Sequence, residues 1–190
     1  MTTHENSDNS MKRYPLTLGL LAFLAIGLFA QPAWAALNTY VAMTLNGEAI
    51  TGEVTLATIG GVDVSANHLE CTAINHEIFG GDTGKLGHTP FKMIKRVDKA
   101  SPLLYRALDN NETVTATIKY FNNDPDSGVT KHFFSAVLTG GRVSAIRQWI
   151  PNSLDPTGAF FPPMEEISIT YQSIEFVNIG NGAAHTITTN

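Results

Sequence analysis

The chain has 190 residues, a net charge of −5 and a single cysteine. An acidic balance argues against nucleic acid or an anionic membrane surface as the partner. With only Cys71 available, no intrachain disulfide can form and the fold must stand on its core.

Residues 1–35 carry the three parts of a secretory signal peptide. Met11-Lys12-Arg13 is the positive end, Leu16 to Ala30 the apolar run, and Ala33-Trp34-Ala35 before Ala36 the small-x-small pattern that signal peptidase accepts. Cleavage after Ala35 is expected. The apolar run is shorter than the roughly 20 residues of a spanning helix, and Gln31-Pro32 breaks it, so a retained anchor is the poorer reading. Met11 is an alternative start. No cysteine follows the run to take a lipid, so no stable membrane anchor is expected after cleavage, and the destination is the periplasm or the outside of the cell. The leader removes Glu5, Asp8, Lys12 and Arg13, two charges of each sign, which leaves the balance unchanged. Residues 36–178 then form one domain large enough to bury a core, followed by a polar tail over residues 179–190.

From Tyr40 onward the hydrophobic period is two, the mark of half-buried strands. Tyr40 to Leu45 begins the pattern and Asn46-Gly47 turns it. Val54 to Ala57 and Val62 to Val64 follow as short strands, and His68 to Phe79 alternates loosely, with Leu69, Cys71, Ala73 and Ile74 as core positions. Cys71, between Glu70 and Thr72, reads as a buried thiol rather than an intermolecular bridge. Gly80-Gly81-Asp82-Thr83-Gly84 offers little to pack and predicts an exposed loop to about Thr89. Phe91 to Lys95 returns to the sheet.

Ser101-Pro102 starts the one convincing helix, with Ser101 as N-cap and Pro102 at the first helical position. Leu103, Leu104, Ala107 and Leu108 give one apolar stripe, and Asn110-Asn111 fits the end. Val114 to Phe121 and Lys131 to Leu138 read as a hairpin across Asp124 to Gly128. Gly140-Gly141 is a turn or a bulge in a long bent strand, with Arg142 to Ile150 continuing it. Pro151 to Pro163 is a loop, Glu166 to Tyr171 and Ile174 to Phe176 are closing strands, and His185 to Thr188 can dock as an edge strand. Many short strands, one small helix and no βαβ rhythm predict a mainly β protein, a barrel or sandwich of antiparallel sheets with the helix at its side.

Sites of chemistry are poorly supported. Gly84-Lys85 lacks the first P-loop glycine, since Phe79 stands there, and has Leu86 where a hydroxyl would ligate magnesium. His68, Glu70 and His76 lack metal-site spacing. His88, Asp98 and Ser101 include the residue types of a hydrolytic triad, yet Ser101 precedes a proline without the G-x-S-x-G elbow, and capping accounts for it. Neither a cofactor, a metal nor a catalytic residue is expected.

Three blocks carry a family resemblance: Thr83-Gly84-Lys85-Leu86 with His88-Thr89-Pro90-Phe91; Asp98-Lys99-Ala100-Ser101-Pro102-Leu103-Leu104-Tyr105-Arg106-Ala107-Leu108; and Met164 to Phe176. In this order they resemble the Hcp family of type VI secretion tube proteins. The resemblance implies an Hcp-like β-barrel of two packed antiparallel sheets, assembled into hexameric rings that stack into a hollow tube able to carry an effector or cargo protein, with no reaction catalysed. It also implies that the loop ending at Thr89 reaches an adjacent ring or subunit. Members of that family typically lack a leader, so this chain reads as an exported variant. An exported, non-polymerising carrier of a protein partner is the alternative.

The residues expected at subunit contacts are Thr83, Gly84, Lys85, Leu86, His88, Lys95, Arg96, Phe160 and Phe161. Lys85, Lys92, Lys95, Arg96 and Lys99 form a basic run that reads as a solvated face or as a complement to Asp124, Asp126, Asp155 or Glu165 of a neighbour. Phe160-Phe161 puts two rings in a loop, either folded back on the barrel or buried against a neighbour.

Overall fold

The computed structural model describes Met1 and residues 39–81, 84–124, 127–152, 154 and 161–189. The rest of the leader, its cleavage residues Ala33, Ala35 and Ala36, and Thr83, Asp126, Asp155 and Phe160 lie outside the described residues. The chain divides into the units Met1–Ala36 and Leu37–Asn190, and all the described elements belong to the second.

Its strands are β1 (Thr39–Leu45), β2 (Glu48–Ala49), β3 (Thr58–Ile59), β4 (Val62–Asp63), β5 (His68–Asn75), β6 (Ile78–Gly80), β7 (Leu86–His88) and β8 (Phe91–Arg96). After the helix α1 (Ser101–Asp109) come β9 (Val114–Asn123), β10 (Thr130–Trp149), β11 (Met164–Thr170), β12 (Ser173–Asn178) and β13 (Ala184–Thr188). All pairings are antiparallel, and the order β11-β8-β5-β1-β9-β10 closes on itself because β11 also bonds β10. The described residues form a β-barrel with one short helix.

Closure rests on the bend in β10. Its first half pairs with β9 and β12 and its second half with β11, and the register shifts between Leu138 and Gly141. Gly140 holds φ +64°, a left-handed conformation that a side chain resists, so the paired glycines mark a bulge inside one strand rather than a turn. One strand thereby serves both walls. The tail residues of β13 extend the sheet beyond β12.

Inward-facing Val41, Met43, Leu45, Leu69, Cys71, Phe91, Met93, Ile118, Leu138, Ile167 and Ile169 form the main core. Burial pushes the Cys71 thiol up to about 12, so it stays protonated. Beyond Cys71 the alternation fails: β5 bulges between Cys71 and Ala73 against β8, which puts Ala73 outside while Ile74 packs on the core.

A second layer covers the outer face of β1 and β9, where Tyr40, Ile59, Val64 and Phe121 cluster. The expected strand over Val54 to Ala57 is absent from this layer. Thr55 instead donates its N–H and hydroxyl to the Glu70 carboxylate at 2.7 and 2.6 Å, so a side chain satisfies backbone that a sheet would otherwise pair.

Ala100, not Ser101, is the N-cap of α1, and Ser101 is its first helical residue. The Ser101 hydroxyl accepts the Asp98 N–H at 2.9 Å and donates to Glu165 at 2.8 Å. That diversion belongs to a buried polar network centred on Lys95, which is 0% exposed. The Lys95 ammonium donates to the Arg96 carbonyl at 2.7 Å, Asp98 at 2.7 Å and Glu165 at 2.9 Å, which uses all three of its protons. Gln148 donates to the other Glu165 oxygen, and the Glu53 N–H to the other Asp98 oxygen. Gly52 sits so close that a Cβ there would lie 2.6 Å from the Asp98 carboxylate.

Removing one partner of a buried ion pair leaves an uncompensated charge and typically costs about 3–5 kcal/mol. Lys95→Met is therefore expected to lose about that much in urea unfolding, and Lys95→Met combined with Glu165→Leu to recover part of it. A single-variant loss below about 1 kcal/mol contradicts this role.

Candidate assembly surfaces

The glycine-rich segment is not an open loop. β6 and β7 pair as a ribbon with Ile78 opposite His88, Phe79 opposite Gly87 and Gly80 opposite Leu86. Glycines concentrate at the tip, where Gly81 donates to the Lys85 carbonyl at 2.8 Å and Gly84 holds φ +75°. The legs keep enough side chains to pair. Gly87 is the exception, and a Cβ there would meet the Phe79 ring at 2.3 Å, so the missing side chain lets the ring lie across the opposite strand. Phe79 and Leu86 remain 50% and 52% exposed, and Lys85 is exposed beside them. This ribbon presents two apolar side chains to solvent.

Its roots are held differently. The Thr89 N–H bonds the Glu77 carbonyl, and the Glu77 N–H bonds the Thr89 hydroxyl, both at 3.0 Å. His76 Nε2 and His88 Nδ1 lie 2.7 and 2.9 Å from one oxygen, the Tyr171 hydroxyl. His88, expected at a subunit contact, is thus half-buried at the root rather than displayed at the tip.

Beside the roots lies a groove of about 700 Å³ lined by Ile78, Phe91, Tyr120, Phe133, Phe134 and Phe176 among others. Phe91 starts β8 and Tyr120 lies toward the end of β9, at the ends away from α1, while Phe133 and Phe134 come from the start of β10, Ile78 from β6 and Phe176 from β12. Phe134 and Phe176 stack at 6.0 Å, and Phe133 is 40% exposed. The sequence pattern marks the alternation here but not that aromatic side chains of β9, β10 and β12 converge.

The basic run loses Lys95 to the interior, while Lys85 and Lys99 stay exposed and Lys92 and Arg96 partly so. Lys95 is buried, Lys92 pairs with Glu166 at 3.4 Å, and Arg96 pairs with the buried Glu70 at 2.7 Å. Lys95 is therefore corrected from a contact residue to a core residue, because its side chain shares the inward face of β8 with Phe91 and Met93. Glu165, expected to meet a neighbour's cation, binds Lys95 of its own chain, and Asp124 pairs with Lys131. Among the described residues of the run, only Lys85 and Lys99 form no ion pair. Phe161 is 63% exposed. Tyr171, His76 and Phe79 were not legible as site residues, since each gains its role from a partner distant in sequence.

Gly87→Ala must expel the Phe79 ring from its cross-strand position. At about 1 kcal/mol of lost local packing, chymotrypsin is expected to cut after Phe79 about fivefold faster with the barrel still folded, and an unchanged rate contradicts the packing described.

A model of the family described as "Type VI secretion system effector, Hcp" matches residues 42–177. A protein named "Major exported protein" from Pseudomonas aeruginosa is 30% identical over 117 residues, which cover 58% of this chain and 68% of the relative. Among solved structures, "Crystal structure of Hcp protein" superposes with a TM-score of 0.68 at 20% identity, covering 80% of this chain and 98% of the other. Hcp1 from E. coli superposes at 0.67 with 21% identity, covering 81% and 100%, and the secreted protein Hcp3 from Pseudomonas aeruginosa at 0.65 with 20%, covering 82% and 99%. The likeness runs from β1 to β12, through the helix and the closed sheet, and the chain belongs to the Hcp family of type VI secretion proteins.

Proposed function

We propose that the chain, after loss of residues 1–35, is an exported structural subunit that assembles into hexameric rings able to stack into tubes, with a lumen for a protein cargo. The observation that carries this reading is the β6–β7 ribbon, which presents Phe79 and Leu86 to solvent on a family barrel whose aromatic groove is open to receive apolar side chains. Two surfaces on one subunit that complement each other but not themselves make a head-to-tail contact, and such contacts close into rings when the rotation permits. The ribbon of one subunit seats against the groove of the next. β13 supports the same reading: its sequence Ala184-His185-Thr186-Ile187-Thr188 has neither the proline nor the lysine that blunts exposed edges. The leader supports export, as does the name of the Pseudomonas aeruginosa relative. The role is mechanical, with no reaction assigned.

Negative-stain electron microscopy across a concentration series, after size-exclusion chromatography of residues 36–190, is expected to show six-fold rings that stack end to end as concentration rises. Discrete single rings at every concentration favour the non-polymerising carrier, and a monodisperse monomer contradicts assembly altogether.

A further inference from the structure

The ribbon leaves the barrel through two roots, and each root carries a histidine that ends on the same phenol. His76 precedes the first leg, His88 ends the second, and Tyr171, between β11 and β12, accepts or donates to both. Behind it, the Thr189 hydroxyl donates to the Tyr171 carbonyl at 3.0 Å, so the end of the C-terminal strand fixes the post to which both roots are tied.

Proton counting sets what this cluster tolerates. A phenol offers one proton and two lone pairs, and a neutral imidazole offers one N–H and one lone pair. With both rings neutral, the hydroxyl donates to one ring and accepts the N–H of the other, and every group facing the shared oxygen is satisfied. One added proton is also accommodated, because the imidazolium donates to the phenol oxygen while the hydroxyl still donates to the second ring. Two are not. Both rings then aim N–H groups at one oxygen, the hydroxyl loses its acceptor in the cluster, and two positive charges face each other across it.

We propose that His76, His88 and Tyr171 form a proton-operated latch on the ribbon, closed while the two neutral rings have gained at most one added proton and open when they have gained two.

The surroundings favour this behaviour. His76 packs on the rings of Phe91 and Phe176, and burial first, then His88, holds its pKa below the ordinary histidine value of 6.5. A proton therefore binds His76 more weakly in the closed state than in the open one. The closed state is fully favoured above that ordinary value and loses ground as pH falls below it. Burial also raises Tyr171, which keeps the phenol protonated throughout. Of the charged groups nearby, Lys85 on the ribbon borders the same concavity as His88, and Glu77 is the exposed carboxylate at the first root. His185 on β13 stands opposite Phe176. The neighbouring elements otherwise contribute Phe91 from β8, Thr170 from β11, and Thr188 and Thr189 from β13 and its end, none of which titrates. Among the described residues no carboxylate bonds either ring to offset the second charge.

An effect of the latch on ring formation rests on the assembly reading above; the latch itself does not. It is tested by hydrogen exchange with mass spectrometry on the dilute purified protein at pH 7.5 and pH 5, corrected for intrinsic rates, with β1 and β9 as the internal reference. Peptides spanning 78–88 are expected to exchange at least about tenfold faster at pH 5 with β1 and β9 unchanged. Tyr171→Phe should exchange fast at both pH values, and His88→Gln, which keeps a polar side chain that cannot charge, should stay protected at both. Equal ribbon protection at the two pH values in the parent protein, or loss only together with β1 and β9, overturns the proposal. So does acid release that persists in His88→Gln. Protein that remains monomeric yet shows this pattern would sink the ring reading and leave the latch standing.

Discussion

Lys95 carries an ammonium group to a fully buried position, and the barrel is arranged around the cost of putting it there. A buried cation is tolerable only when every proton has a partner and an opposite charge stands close. Here the partners are Glu165 on β11, Asp98 in the turn after β8 and the Arg96 carbonyl, and at the seam where the sheet closes Gln148 on β10 and Ser101 at the start of α1 bond Glu165 in turn. A slip of one residue between β8 and β11 would turn Lys95 to the outer face and strand Glu165 within. Buried ion pairs add little net stability compared with apolar packing, but this one specifies register, closure and the seat of the helix together.

That network also explains the sequence around it. Asp98 and Ser101 have the residue types of a capping motif, and their spacing alone supports that reading. Asp98 does bond the Ala100 N–H at 2.9 Å, yet Ser101 points its hydroxyl at Glu165. Its preference for helix starts and its place in the network are both satisfied by one position, and only the second needs the tertiary fold.

Much of the barrel was readable because period-two alternation and glycine placement are local signals. The β9–β10 hairpin and the closing strands follow from them directly, the helix follows from its Ser101-Pro102 start and apolar stripe, and Gly140-Gly141 was legible only as a turn or a bulge. Lys95 was also readable in principle, since Phe91, Met93 and Lys95 share one parity, but a cluster of basic residues suggests a solvated face more strongly than parity suggests an inward charge. What stayed hidden depends on partners far apart in the chain. Ala73 leaves the core because of a bulge set by β8, the 54–57 segment pairs with a carboxylate instead of a strand, and two histidines acquire a common phenol more than 80 residues away.

The assembly account joins the rigid and the adjustable parts of the subunit. A seam fixed by Lys95 keeps the barrel walls in register, and the aromatic groove lies at the strand ends away from α1, beside the roots of the ribbon. The central claim is a head-to-tail contact in which the ribbon tip of one subunit meets the groove of another. Its most direct test mixes two single variants, Leu86→Cys and Phe133→Cys, under mild oxidation; the native Cys71 is buried and protonated, and does not compete. The account predicts a covalent dimer in the mixture well above the yield of either variant alone, whereas a mixture yielding no more dimer than the separate variants would contradict it.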